Sequence, residues 1–172
     1  MARRDPKLVV KKAEWNRIKR VMMAADTNES RTGWFEGQTY GPENDFLPIA
    51  QVASWQEEGT RGGQKNGRGI PSRPFIRTLF KGLKRNFAFQ GMMRKNLKAV
   101  LDGQMTWNSF YGHSGRFIKQ RLKDTIKKWT LPRNAPATIA NKGFNDPLVE
   151  TGTMWKSIRT KVFRRGKKRG SK

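Results

Sequence analysis

Residues 75–101, FIRTLFKGLKRNFAFQGMMRKNLKAVL, carry the longest helical pattern in the chain. Their apolar residues recur near one helical face, which predicts a single amphipathic helix over the stretch. Two glycines within it reduce its regularity, because glycine costs about 1 kcal/mol relative to alanine inside a helix. A second helix is predicted over residues 114–129, capped by Ser114 after a Gly-His-Ser-Gly turn at 112–115. Sequential helices of this kind normally pair through their apolar faces.

The residues before this pair predict both helices and strands. A β-branched run at residues 8–10 is typical of a short strand, and apolar residues at helical spacing predict a helix over residues 12–25. Aromatic residues bracketed by glycines indicate a strand at residues 32–37. A short helix is predicted over residues 48–58, and Gly59 follows it as a natural stop.

The residues after the pair alternate between loops and short elements. Prolines predict a linker over residues 131–136. A helical turn is predicted around residues 153–157, and alternation of apolar and polar residues predicts a strand over residues 158–163. Residues 59–69 hold five glycines, three basic residues and no apolar residue, which is typical of a flexible surface loop. The last nine residues, 164–172, hold six Lys/Arg and no acid, and are expected to be a disordered basic tail.

The composition indicates one folded domain that needs a partner. A chain of 172 residues, 35% hydrophobic with six Trp and ten Phe, is long enough to bury a core, which we expect to span residues 1–163. The absence of cysteine excludes disulfides and cysteine-ligated metal sites. No apolar run approaches the ~18 residues that cross a bilayer, so a soluble protein without a membrane partner is expected. The net charge of +24 destabilises a compact chain by self-repulsion unless anionic neighbours neutralise it.

Three segments carry sequence motifs: VASWQEEGT at residues 52–60, GIPSRPFIR at residues 69–77, and KG followed by PLVETGTMWKSI within residues 142–158. Taken in order, they resemble the signature of a tailed-phage virion-morphogenesis family that includes neck, head–tail joining and tail-completion proteins. Glu58 stands where the family usually has an aromatic residue, and Glu150 replaces the usual aspartate. The matched residues are Gly59, Thr60, Ile70, Pro71, Arg73, Pro74, Phe75, Arg77, Pro147, Leu148, Glu150, Thr151, Gly152, Met154, Ser157 and Ile158.

The resemblance implies an α+β fold, a small antiparallel sheet packed against two or three helices, with the Gly-rich basic loop and the basic C-terminal tail as appendages. It also implies a homo-oligomeric ring at the head–tail junction or tail end of the virion, assembled in the host cytoplasm. Its neighbours would be head-closure, portal-proximal or tail-tube proteins.

The motif residues also have scaffold roles that do not depend on the family. Prolines on either side of Arg73 hold an extended segment from which Phe75 can enter the core. Thr151 can cap a short helix whose Met154 and Ile158 point inward.

Catalytic and metal-binding patterns are weak, so we expect no enzyme, no metal and no cofactor. His113 is the only histidine, and no Gly-x-Ser-x-Gly sequence occurs. Glu57 and Glu58 are adjacent, so on a helix they point in different directions and are expected to be surface charge. The Gly-rich loop lacks the Gly-Lys-[Ser/Thr] ending of a phosphate-binding loop.

Basic residues are concentrated after Glu58. Residues 1–58 hold nine basic and nine acidic side chains, whereas the rest of the chain holds 28 basic and four acidic ones. Such density predicts contact with packaged DNA or with acidic protein surfaces, unless these side chains stay solvated. In a rival class, it predicts a free sequence-independent nucleic-acid-binding protein. The candidate contact residues are Arg61, Lys65, Arg68, Arg164, Arg165, Lys167, Lys168 and Arg169.

Overall fold

A computed structural model describes residues 11–25, 27–61 and 69–164. Within them, seven α-helices, one 3₁₀ turn and a two-stranded antiparallel sheet confirm the α+β class. The elements in order are α1 (Lys12–Ala25), β1 (Asn28–Gly33), the 3₁₀ turn (Pro42–Asn44), α2 (Ile49–Glu58), α3 (Phe75–Lys84), α4 (Phe87–Leu101), α5 (Trp107–Lys127), α6 (Pro136–Lys142), α7 (Thr153–Lys156) and β2 (Arg159–Arg164). The strand predicted at residues 8–10 lies outside the described residues, as do most of the loop at 59–69 and most of the tail.

The sheet packs one face against α5 at very short range. A Cβ built on Gly115 would lie 2.3 Å from Cγ2 of Thr160 and 2.4 Å from Oγ of Ser30. The carbonyl oxygen of Gly115 accepts hydrogen bonds from the hydroxyls of Thr32 at 3.3 Å and Thr160 at 2.9 Å. The strand residues that face the helix are therefore small or polar, and they anchor the helix backbone directly.

The single helix predicted over residues 75–101 is wrong, because the chain breaks into α3 and α4 at Asn86. The Asn86 side chain accepts a hydrogen bond from the backbone N–H of Phe89 at 2.9 Å, which makes Asn86 the N-cap of α4. Gly82 and Gly91 lie inside the two helices and do not cause the break. A local side-chain cap therefore overrides the continuous apolar pattern.

The second helix begins earlier than predicted, so the turn at residues 112–115 is also wrong. Thr106 is the N-cap of α5, and its hydroxyl accepts from the backbone N–H of Ser109 at 3.2 Å. Ser114 caps nothing and instead donates to the Phe110 carbonyl within the helix at 2.9 Å. The predicted pairing of sequential helices is confirmed, since rings on α4 and α5, those of Phe89 and Phe117, pack with centroids 5.2 Å apart.

Three predicted boundaries need correction. The strand predicted at residues 32–37 instead runs over Asn28–Gly33, whose residues are mostly polar. The aromatic residues on which the prediction rested follow the strand. The linker at 131–136 ends in helix α6, whose first residue is Pro136, a favoured first helical position. Arg164 ends β2 opposite Asn28, so residue 164 belongs to the sheet and not to the tail.

The core joins α2, α3, α5 and α7, and all three motif segments reach it. Phe75 is fully buried, which confirms its predicted place in the core, and Trp34 packs edge-on against it with ring centroids 6.2 Å apart. Gly59 ends α2 as predicted. The buried core residues are Ile49, Ala53, Phe75, Leu79, Leu83, Leu122, Ile126, Leu148, Met154 and Ile158.

Candidate functional site

The first two motif segments meet where α2 ends and α3 begins. Gly59 has a φ of +77°, and a Cβ there would lie 2.8 Å from the backbone nitrogen of Ser72, so glycine is required on both counts. Thr60 donates its backbone N–H to the Ile70 carbonyl at 2.9 Å, and its hydroxyl accepts from the Ile70 N–H at 2.9 Å. These bonds close the base of the Gly-rich loop.

Arg73 is the buried centre of this junction. Its side chain is within the interior, and residue exposure is only 4%. The guanidinium donates to Gln56 Oε1 at 2.5 Å, to the Pro132 carbonyl at 3.2 Å and to Asn134 Oδ1 at 3.3 Å. Burial lowers the pKa of Arg73 from its ordinary value. One side chain thus joins α2, the segment before α3 and the segment before α6.

Glu57 caps α3 from outside that helix, and the prediction that it is surface charge is wrong. Its carboxylate is buried and accepts the backbone N–H of Ile76 at 2.7 Å and that of Arg77 at 3.1 Å. A carboxylate at a helix N-terminus satisfies unpaired amides and interacts favourably with the helix dipole. Sequence spacing gives no signal of this role, because Glu57 and the start of α3 come together only when the chain folds.

Glu58, as predicted, is exposed, and it pairs with Arg77. The carboxylate and guanidinium form a hydrogen-bonded ion pair, which lowers the pKa of Glu58 and raises that of Arg77. The end of the first motif segment therefore contacts the second through Glu58 and Arg77. Pro71 is exposed, and Pro74 immediately precedes α3 as its N-cap residue; the segment between them is irregular and not a strand.

The third motif segment packs around α7. Met154 and Ile158 are buried as predicted, and the Ser157 hydroxyl donates to the Met154 carbonyl at 3.0 Å. The N-cap of α7 is Gly152, with a φ of +79°, whereas Thr151 acts from one residue earlier by accepting the N–H of Thr153 at 3.3 Å. Thr151 thus shares with Gly152 the capping role that was predicted for Thr151 alone. Pro147, Leu148 and Gly152 of this segment are also buried.

A cavity of about 530 Å³ opens between the third motif segment, α2 and the 3₁₀ turn. Its rim carries the carboxylates of Glu43 and Glu150, so we name it the acidic groove. Tyr40 lines it, and burial, followed by the charge of Glu150, raises the pKa of Tyr40. The apolar part of the lining includes Leu47, Val52, Trp55, Ile70 and Leu148.

Lys142 is the one basic residue lining the acidic groove in the part of the chain that the structure describes. Its ammonium donates to the backbone carbonyls of Asp146, at 2.9 Å, and Val149. Burial lowers the pKa of Lys142, opposed by the charge of Glu150. Because its N–H groups donate to backbone oxygens, Lys142 links residues of the third motif segment to one another.

Glu150→Gln is expected to lower the pKa of Tyr40 while leaving it above its ordinary value of 10.0, because burial is the larger cause. Ultraviolet absorbance of tyrosinate against pH measures this shift, with Tyr40→Phe identifying the signal. A folded-state pKa raised above the unfolded value means that stability falls as pH rises beyond about 10. The loss should begin at the same pH in Glu150→Gln but be smaller. An unchanged Tyr40 titration would contradict the assigned coupling.

A basic–aromatic cluster lies where α5 ends beside α7. The ammonium nitrogens of Lys127, Lys156 and Lys123 lie 3.9, 5.6 and 5.8 Å from the ring centroid of Trp155. Within the described residues, none of the three lysines forms an ion pair with a carboxylate. Ammonium groups over an indole are attracted to its ring, but they also repel one another, and a bound anion would relieve that repulsion.

The sheet face that points away from α5 carries a similar arrangement. Arg31 lies directly opposite Lys161, a like-charged pair that destabilises a sheet. The Arg31 guanidinium lies 4.9 Å from the Phe163 ring centroid, and the Lys161 ammonium 4.6 Å from that of Phe35. Glu29 pairs with Arg31 and offsets part of this charge.

Of the predicted contact residues, the structure describes only Arg61 and Arg164, both exposed and far apart in the chain. Arg61 follows the closed loop base, and Arg164 ends β2. The basic–aromatic cluster around Trp155 was not predicted, since its members come together from two helices. The remaining predicted contact residues lie outside the described part of the chain: Lys65, Arg68, Arg165, Lys167, Lys168 and Arg169.

His113, the histidine weighed for catalysis, lies within a helix. His113 and Ser114 are consecutive residues inside α5, and the Ser114 hydroxyl is used within the helix. In residues 11–25, 27–61 and 69–164, no three His, Asp or Glu side chains are grouped as metal ligands would be. Among the same residues, no helix is both long and apolar enough to cross a bilayer.

Comparison with known proteins gave no match: no family model fits the chain, and no curated protein or solved structure shows significant similarity to it.

Proposed function

We propose that this protein is a ring-forming structural subunit of a tailed-phage virion, a neck or tail-completion protein that joins head to tail without catalysing a reaction. The proposal combines the ordered motif resemblance with the positions of the motif residues. It places the protein at the head–tail junction or the tail end, beside head-closure, portal-proximal or tail-tube proteins.

The observation that carries the proposal is the junction of the motif segments. Arg73 and Gly59 are held by packing and hydrogen bonds, while Leu148, Met154 and Ile158 fill the core. Residues used in this way maintain a shape that neighbouring subunits can recognise. A sequence signature made of scaffold residues suits an assembly component.

Particles made without this protein provide the test. Electron microscopy is expected to show filled heads and separate tails, or tails with aberrant ends, and complementation with the intact gene should restore joined particles. Complementation with Arg73→Ala, which disrupts the junction, should fail. Normal infectious particles in the absence of the protein would refute the proposal.

The alternative function is sequence-independent nucleic-acid binding, and the lysines around Trp155 favour it. Ammonium groups beside an aromatic ring suit a phosphate backbone and a stacked base. A gel-shift titration with DNA across salt concentrations separates the two functions. Tight binding by the isolated protein that weakens steeply with salt, and that is lost when Lys123, Lys127 and Lys156 are changed to Gln, would support the alternative.

A further inference from the structure

The turn between α3 and α4 exposes two large aromatic side chains. Phe80, near the end of α3, is 51% exposed, and Phe87, the first residue of α4, is 86% exposed. The residues between them include the exposed basic side chains of Lys81, Lys84 and Arg85. Together these five residues are named the phenylalanine corner. Exposed aromatic residues beside basic ones are typical of protein-contact surfaces and carry a solvation cost when left in water.

The acidic groove has the complementary properties. Its lining combines the apolar side chains of Leu47, Val52 and Trp55 with rim carboxylates from Glu43 and Glu150. Neither carboxylate forms an ion pair within the described residues. Among the described residues, the one cation of the lining, Lys142, is directed at backbone carbonyls. A volume of about 530 Å³ exceeds that of a phenylalanine side chain and lies in the range of typical binding pockets, about 300–1,000 Å³.

Charge is divided between the two surfaces. The charged residues of the phenylalanine corner are all basic, whereas the acidic groove is lined by the carboxylates of Glu43 and Glu150. Two carboxylates thus line one cavity in a chain whose net charge is +24. The two surfaces share no residue, so one copy can present both at once.

We propose that the phenylalanine corner of one copy docks into the acidic groove of the next, with Phe87 in the cavity and the corner's basic residues against Glu43 and Glu150. The contact is head-to-tail, and repetition of a head-to-tail contact produces a closed ring when the rotation between copies closes. The inference rests on the proposed ring-forming function and specifies the contact that would build the ring.

The first test measures the assembly state of the intact chain by analytical ultracentrifugation across concentration. The wild-type protein is expected to self-associate. Phe87→Glu should raise the concentration needed for association by at least about 30-fold, the effect of removing an interface hot spot. Met23→Glu, which changes a residue 76% exposed on α1 and outside both surfaces, is the matched control and should associate normally. Circular dichroism checks that each variant remains folded.

Mixing two defective copies tests the head-to-tail geometry. Phe87→Glu lacks a working corner, and the double variant Glu43→Arg with Glu150→Arg lacks a working groove. Each alone should be monomeric, whereas their mixture should give a 1:1 dimer and nothing larger, since only one good corner and one good groove remain. Two copies using the same surface on each side would not produce this result.

Three outcomes would overturn the inference: a wild-type protein that stays monomeric, a Phe87→Glu variant that associates normally, or a mixture that stays monomeric. If deletion of residues 165–172 abolishes association and Phe87→Glu does not affect it, the basic C-terminal segment would be the part of the neighbouring copy that occupies the groove. Self-association with an unaffected Phe87→Glu variant leaves the proposed virion function standing. Failure of that function is seen separately, as normal particles assembled without the protein.

Discussion

Arg73→Ala is expected to lower the free energy of unfolding by about 3 kcal/mol, because the buried guanidinium donates to three neutral oxygens that alanine cannot pair. The change strands the side-chain oxygens of Gln56 and Asn134 and the carbonyl of Pro132, all of which accept from the guanidinium. A buried polar group without a partner costs about 1–3 kcal/mol. Urea unfolding followed by circular dichroism measures the loss.

Two further variants test whether the loss of stability is specific to the Arg73 side chain. Arg73→Lys keeps the charge but lacks the planar fork, so it cannot reach three acceptors in different directions and should still lose about half of the stability lost by Ala. Arg77→Ala removes a neighbouring motif arginine whose side chain is 57% exposed, so it should cost much less stability than Arg73→Ala. Equal losses for Arg73→Ala and Arg77→Ala would contradict the central role of Arg73.

Local signals in the sequence predicted the elements that depend on them. α1, α2, α7 and β2 lie within one or two residues of their predicted bounds, because apolar spacing and terminal residues act over a few positions. The motif residues Phe75, Met154 and Ile158 are buried as expected. For these elements, local preference and tertiary packing agree.

The errors come from contacts between distant parts of the chain. Glu57 looked like surface charge because nothing near it in sequence shows that its carboxylate caps a helix starting 18 residues later. Gly112 and Gly115 looked like a turn because glycine usually interrupts helices, whereas both lie inside α5, and the missing side chain of Gly115 lets that helix approach the sheet. The acidic groove likewise combines residues from positions 40 to 154, which no local pattern could bring together.

Gly115→Ala and Gly91→Ala are expected to change stability in opposite directions, although both replace glycine inside a helix. Alanine gains about 1 kcal/mol of helix propensity at either position. At Gly91 nothing lies within 4 Å of the added Cβ, so the gain should appear in full. At Gly115 the Cβ would overlap Thr160 and Ser30, and overpacking should outweigh the gain, with a net loss of about 1–3 kcal/mol.

Thr160 should decide the size of that loss. Ser30 can rotate its hydroxyl away, but Thr160 is β-branched and its hydroxyl is bonded to the Gly115 carbonyl, which holds its Cγ2 in the path of the new methyl group. Thr160→Ser removes Cγ2 and keeps the hydroxyl, so it should recover much of the stability lost by Gly115→Ala. Urea unfolding of both single variants and the double variant measures this coupling. Additive losses, or a Gly115→Ala protein as stable as Gly91→Ala, would show that α5 does not approach the sheet as closely as the structure indicates.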